Sequence, residues 1–103
     1  MKYGTVAKYQ VKPGHLDAFK NEMGKLEATP PSGWLYDTTF QSTTDPNELW
    51  ISVVFESEEI YKKSADSPDM DRQYRSMMEH LEGAPEWHDG HVIHEGMAKP
   101  ATA

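Results

Sequence analysis

Residues 34–59 read WLYDTTFQSTTDPNELWISVVFESEE, and the reading of this stretch decides the fold. Two runs rich in aromatic and β-branched residues, one beginning at Trp34 and one at Leu49, flank Asp45-Pro46-Asn47, a turn-forming triplet, so the pair is a strand hairpin. Ser57 followed by Glu58 and Glu59 then opens a helix, with the hydroxyl as cap and the acids near the positive end of the helix dipole. Upstream, Thr29-Pro30-Pro31-Ser32-Gly33 stops an earlier helix, because two prolines withdraw backbone donors and glycine permits the reversal. That helix carries Leu16, Phe19, Met23 and Leu26 at spacings of three and four, and Pro13-Gly14 separates it from a first strand over Tyr3 to Val11. Downstream, Ser67-Pro68-Asp69 breaks the second helix and starts a segment with Met70, Tyr74, Met77, Met78 and Leu81 on one face, ending at Gly83 with Pro85 beyond. Trp87 to Gly96 reads as the last strand. The order β-α-β-β-α-β specifies an α+β fold, a split βαβ antiparallel sheet with its helices on one face, over one domain at 1–96. Residues 97–103 read as a flexible tail.

Alternation places Trp34, Tyr36, Thr38 and Phe40 against Leu35, Asp37 and Thr39, and it places Leu49, Ile51, Val53 and Phe55 against Trp50, Ser52 and Val54. Neither strand has a clean polar face. The helices cover one side only, so the other side exposes an apolar patch unless a second copy covers it. The expectation is a homodimer packed sheet on sheet.

Composition narrows the classes of function. The 103 residues carry a formal charge of −7, and no basic patch stands out, which argues against nucleic acid or an anionic membrane as partner. At 37% hydrophobic residues and a mean hydropathy of −0.77 the monomer is lean in core-forming groups. Met1-Lys2-Tyr3 leads straight into a strand without the apolar core of a signal peptide, and no apolar run is long enough to span a membrane, so a soluble, cytoplasmic protein is expected. The absence of cysteine excludes disulfides, thiolate nucleophiles and cysteine-held metals.

Several residues invite a chemical reading. His88, His91 and His94 suggest a metal, but on an extended strand His91 faces away from the other two, which lie roughly 20 Å apart. A surface or interface role therefore outweighs a metal site. His15 falls in the first turn of helix one and reads as solvent-exposed, while His80, beside the apolar face of the second helix, is the better acid-base candidate. No glycine-rich phosphate cradle follows a strand. A triad of Ser52, His94 and Asp37 lacks a nucleophile elbow. What remains is a set of bulky groups, Trp34, Tyr36, Tyr74 and Met78 with Tyr9, Trp50, Met70 and Met77, able to wall a pocket for a flat organic ligand. For most of them packing is the simpler role. Tyr74 stands apart, since a phenol within a Met/Leu stripe needs a partner or a cavity.

The chain also resembles a known family. Val11-Lys12-Pro13-Gly14 entering helix one, Pro31-Ser32-Gly33 before strand two, Asp45-Pro46 in the hairpin and Val54-Phe55-Glu56-Ser57-Glu58-Glu59 entering helix two are similar to the antibiotic biosynthesis monooxygenase domain, over Tyr3 to Gly96. The resemblance implies a dimeric α+β barrel of two ferredoxin-like subunits, each with a ligand cavity between helices and sheet. It implies oxidation of polyketide-like aromatic molecules without flavin, haem or metal, hence no cofactor. Haem-degrading relatives use an asparagine, a tryptophan and a histidine where this chain has Ala7, Ser64 and Tyr74, so haem degradation is not expected. Many other members carry a histidine near Ser64, which leaves Tyr74 as the polar group of that cavity.

The combined expectation is a cofactor-independent monooxygenase acting on a hydrophobic aromatic small molecule, with Tyr74 as catalytic group and Trp34, Tyr36, Ser64 and Met78 as substrate-binding walls. The alternatives are a cofactor-free isomerase of small unsaturated lactones and a non-catalytic binding dimer.

Overall fold

Two strands far apart in sequence form the centre of the sheet. In the computed structural model, which describes residues 1–98, the elements are β1 (Tyr3–Gln10), α1 (Leu16–Ala28), β2 (Trp34–Gln41), β3 (Glu48–Phe55), α2 (Glu58–Ala65), α3 (Pro68–Met78) and β4 (Glu86–His91). The strands run in the order β2-β3-β1-β4, and every neighbouring pair is antiparallel. This is the ferredoxin-like α+β arrangement, with the hairpin of β2 and β3 at one side and β4 returning to the far edge.

Local chemistry sets the boundaries. Ser57 Oγ accepts from the Ile60 amide at 3.2 Å, and Ser67 Oγ accepts from the Met70 amide at 3.2 Å, so each helical segment after the hairpin has its own cap. Pro68 then occupies the start of α3, where its missing donor costs nothing. Gly33 has a φ of +82°, and a side chain there would run into Ile60, so both conformation and space require glycine before β2.

The core lies between the helices and one face of the sheet. Phe19 and Val11 are fully buried there, with Ala7, Tyr9, Leu49, Ile51, Met77 and Leu81 around them. The rings of Tyr9 and Phe19 sit 5.4 Å apart, tilted by 60°.

Three expectations from sequence need correction. The last helix stops at Met78 rather than near Gly83, because the chain beyond it pairs with the end of β1: Lys12 N–H donates to His80 O and Glu82 N–H to Gln10 O. The fourth strand is Glu86–His91, not Trp87 to Gly96. Its register pairs His91 with Tyr3, so β1 offers no further partner, and only Val92 N–H reaches Lys2 O. Finally, the alternation of β2 is broken by an irregularity between Trp34 and Tyr36, where Trp34 pairs with Phe55 but Tyr36 pairs with Val54. The extra residue turns Trp34, Asp37 and Thr39 to the helix side and Tyr36, Thr38 and Phe40 to the outer side. Of the proposed tail, Met97 and Ala98 lie outside any element, and residues 99–103 fall outside the described residues.

Candidate functional site

Between helices and sheet lies a cavity of about 630 Å³. Its floor is the helix-side face of the sheet: Thr5 from β1, Ile51 and Val53 from β3, Asp37 from β2, and Trp87 and Asp89 from β4. Met23 and Leu26 of α1 close one wall, and Tyr61, Ser64, Met70 and Tyr74 of α2 and α3 form the roof. The volume suits a small polycyclic molecule, and the lining is mostly apolar and aromatic with a few polar groups. A groove of about 820 Å³ lies between α1 and the two later helices. Leu26, Pro31, Ser64 and Met70 line both spaces, so they stand where the cavity meets the groove. Gln73 Nε2 donates to Glu22 O at 3.2 Å and ties α3 to α1 along this opening. Met70→Trp is expected to fill the passage and slow ligand association at least about tenfold with little change in stability, as checked by stopped-flow binding and thermal melting.

The sequence candidates divide into those the fold brings together and those it separates. Trp34, Ser64 and Tyr74 all line the cavity, and Tyr74 packs against Trp87 with ring centroids 6.2 Å apart. Tyr36 does not, because the irregularity in β2 turns it to the opposite side of the sheet, where Lys2 Nζ lies 5.9 Å from its ring. Met78 packs against the core cluster instead of the cavity. The paper triad is separated too, since Ser52 pairs with Thr38 and Val6 on the outer face, Asp37 is on the inner face and His94 lies beyond β4. His88 contacts Glu86 at 3.2 Å, while His91 contacts Glu58 at 3.3 Å and packs edge-on against Tyr3. No group of three metal-ligating side chains comes together among the described residues. His15, expected to be solvent-exposed, is half-buried and meets His80, the acid-base candidate, with their Nδ1 atoms 3.1 Å apart.

Four polar groups of the cavity, Asp37, Tyr61, Asp89 and Thr5, escaped the sequence reading as members of one site. Asp37 is half-buried, and its carboxyl is pushed up to about 6, first by burial and then by the neighbouring Glu27 carboxyl. Tyr61 donates to Asp89 Oδ1 at 3.1 Å, and burial followed by the Asp89 charge pushes its phenol up to about 12. The Tyr61 hydroxyl also lies beside Thr5, whose Oγ1 is buried. Ser64 Oγ is likewise buried. Helical spacing in the second helix could have singled out Tyr61, which lies three residues before Ser64 on the same roof.

The raised Asp37 has a consequence for stability. Its folded-state value lies above that of the unfolded chain, so folding favours the protonated carboxyl, and the native state loses stability as the pH rises from about 4 through about 6. Asp37→Asn is therefore expected to raise the melting temperature near pH 7.5 and to leave it unchanged near pH 4, which calorimetry at the two values checks.

Fold and cavity together define a ferredoxin-like α+β domain with a mostly apolar cavity between its helices and its sheet. The family model for antibiotic biosynthesis monooxygenase matches residues 3–75, and the chain belongs to that family. Among solved structures, one from Chloroflexus aurantiacus J-10-fl assigned to the same family is 24% identical, with a TM-score of 0.77, covering 94% of this chain and 98% of that one. SnoaB from Streptomyces nogalater, a cofactor-independent oxygenase solved as a point mutant, is 10% identical with a TM-score of 0.78, covering 91% and 95%. A family protein from Caulobacter crescentus CB15 is 19% identical with a TM-score of 0.78, covering 90% and 91%. At these identities the likeness concerns the fold. No curated protein matches the chain. No helix among the described residues is long and apolar enough to cross a membrane.

Proposed function

We propose that the protein is a cofactor-independent monooxygenase that converts an activated methylene of a hydrophobic aromatic molecule to a carbonyl. The observation that carries this reading is the aromatic cavity lined by Asp37, a carboxyl that burial and the neighbouring Glu27 push up to about 6. Family membership and the shared fold of SnoaB support it. Asp37 takes a proton from the methylene, leaving a delocalised carbanion that passes one electron to dioxygen. The substrate radical and superoxide combine into a peroxide. Loss of water, with the proton returned by Asp37, leaves the carbonyl, so one oxygen atom ends in product and one in water. Trp34, Ile51 and Met23 keep the site dry, and Tyr74 donates to the substrate oxygen on which negative charge collects. Ser64 completes the wall on which the substrate packs.

The test is oxygen uptake by chelator-treated protein with a panel of anthrones, quinols and phenols, beside Tyr74→Phe. Uptake above the uncatalysed background, reduced about tenfold or more in the variant, is expected. An isomerase would use the same proton acceptor, and turnover that proceeds equally under nitrogen would favour it.

The functional unit on this reading is a homodimer joined through the outer sheet face. Val6, Phe40 and Trp50 are 53%, 58% and 43% exposed there, on the side the helices leave uncovered. Light scattering at micromolar concentration is expected to give about twice the chain mass of 11.7 kDa, and Trp50→Glu about the chain mass itself. A wild-type mass of one chain would contradict the dimer.

A further inference from the structure

The charges around the cavity are not balanced. Asp37, Asp66, Asp71 and Asp89 line it, and Lys62 is the one basic lining residue among the described residues. Lys62 is held by Glu58 at 2.6 Å, and Asp71 is paired with Arg75 at 3.0 Å. That leaves Asp37 with its neighbour Glu27, Asp66 and Asp89 without a cation at ion-pair distance among the described residues. Such a cavity repels a carboxylate or phosphate ligand and attracts a positive one.

Geometry locates where the positive group would sit. Asp89 and Thr5 are cross-strand partners on the inner face of the sheet, with Trp87 pairing beside them to Ala7. Thr5 is 5% exposed and its Oγ1 is enclosed by protein beside the Tyr61 hydroxyl, so the exposed Asp89 is the polar group that a ligand can reach here. Tyr61 hangs over both from α2, and Tyr74 packs against Trp87 from α3. A carboxylate and three electron-rich rings form the surroundings that bind an ammonium by charge-assisted hydrogen bonding and cation–π attraction together. Asp37 stands on β2 at the other edge of the sheet, three inter-strand steps or about 14 Å from β4.

We propose that the cavity takes an aromatic ligand bearing one protonated amine, held at Asp89 among the rings of Tyr61, Tyr74 and Trp87. Resting on the reading of this cavity as the substrate site, the inference adds substrate class and direction: the amine binds at the β4 end, and the reacting carbon faces Asp37 at the β2 end.

Three probes on one ring system test it: 2-naphthylmethylamine, protonated near pH 7.5, 2-naphthylmethanol and 2-naphthoate. Binding is followed by NMR at the indole N–H groups of Trp34 and Trp87, which report on the cavity from its two sides. The ammonium is expected to bind about tenfold tighter than the alcohol, with the carboxylate weakest, and the preference to shrink between about 0.02 and 0.3 M salt. Asp89→Asn, which keeps an acceptor for Tyr61, is expected to abolish the preference while the alcohol's affinity stays the same. Equal or tighter binding of the alcohol or the carboxylate, no indole shift with the ammonium at millimolar concentration, or an undiminished preference in Asp89→Asn overturns the proposal. The outcome is separate from that of oxygen uptake, since a protein that binds in this order but consumes no oxygen would fault the reaction and not the ligand class.

Discussion

Asp37→Asn is expected to lower turnover by about 10²- to 10⁴-fold, the range that loss of a positioned proton acceptor costs. Asparagine keeps the size and much of the hydrogen bonding of aspartate but cannot take a proton, so the loss falls on kcat rather than on binding. The pH profile carries the same information with a defined sign. Asp37 accepts a proton only when ionised, so activity rises through about pH 6 and levels off above it. Glu27→Gln removes the neighbouring carboxyl that helps hold Asp37 up, and the acid limb moves to lower pH with the plateau retained. The check is a rate profile from about pH 4.5 to 8.5 for wild type and both variants. A plateau extending unchanged below pH 5, or near-wild-type turnover in Asp37→Asn, would remove Asp37 from the mechanism.

Phe19→Ala is expected to destabilise the protein by about 3–5 kcal/mol, a large share of the roughly 5–15 kcal/mol by which such domains are stable. Phe19 is fully buried where α1 meets the sheet, and its ring packs on Tyr9, whose phenol burial pushes well above the usual range. Removing the ring leaves a void that the strand backbone cannot close. Met23, one turn further along α1, provides the contrast. It packs on the core with one side and lines the existing cavity with the other, so Met23→Ala in part enlarges a space already present and costs about 1–2 kcal/mol. Urea denaturation of the two variants checks the difference. Equal losses would mean that the cavity is filled by packing in solution and not held open.

The fold was legible in the sequence because its punctuation is chemically explicit. Ser57 and Ser67 cap as read, Pro30-Pro31 and Gly33 end helix one, and the apolar stripe of Leu16, Phe19, Met23 and Leu26 faces the sheet or the cavity. The site was legible only in part. Trp34, Ser64 and Tyr74 line the cavity, but strict alternation put Tyr36 beside Trp34, and a single irregularity in β2 reversed it. That one extra residue also delivered Asp37 to the cavity, and with both strand faces apolar no pattern marked where the register would slip. The length of β4 was misread for a related reason. Its end is set by where β1 begins, which is a property of the pairing and not of residues 92–96.

The central claim, cofactor-free oxygenation of an aromatic methylene in this cavity, is tested most directly by turnover under isotopically heavy dioxygen. Chelator-treated protein is given the substrate that supports oxygen uptake, and the product is analysed by mass spectrometry beside Asp37→Asn. The account predicts one heavy oxygen atom in the product carbonyl, the other in water, and loss of labelled product in the variant. A product whose new oxygen comes from water, or one formed equally well without dioxygen, would contradict it.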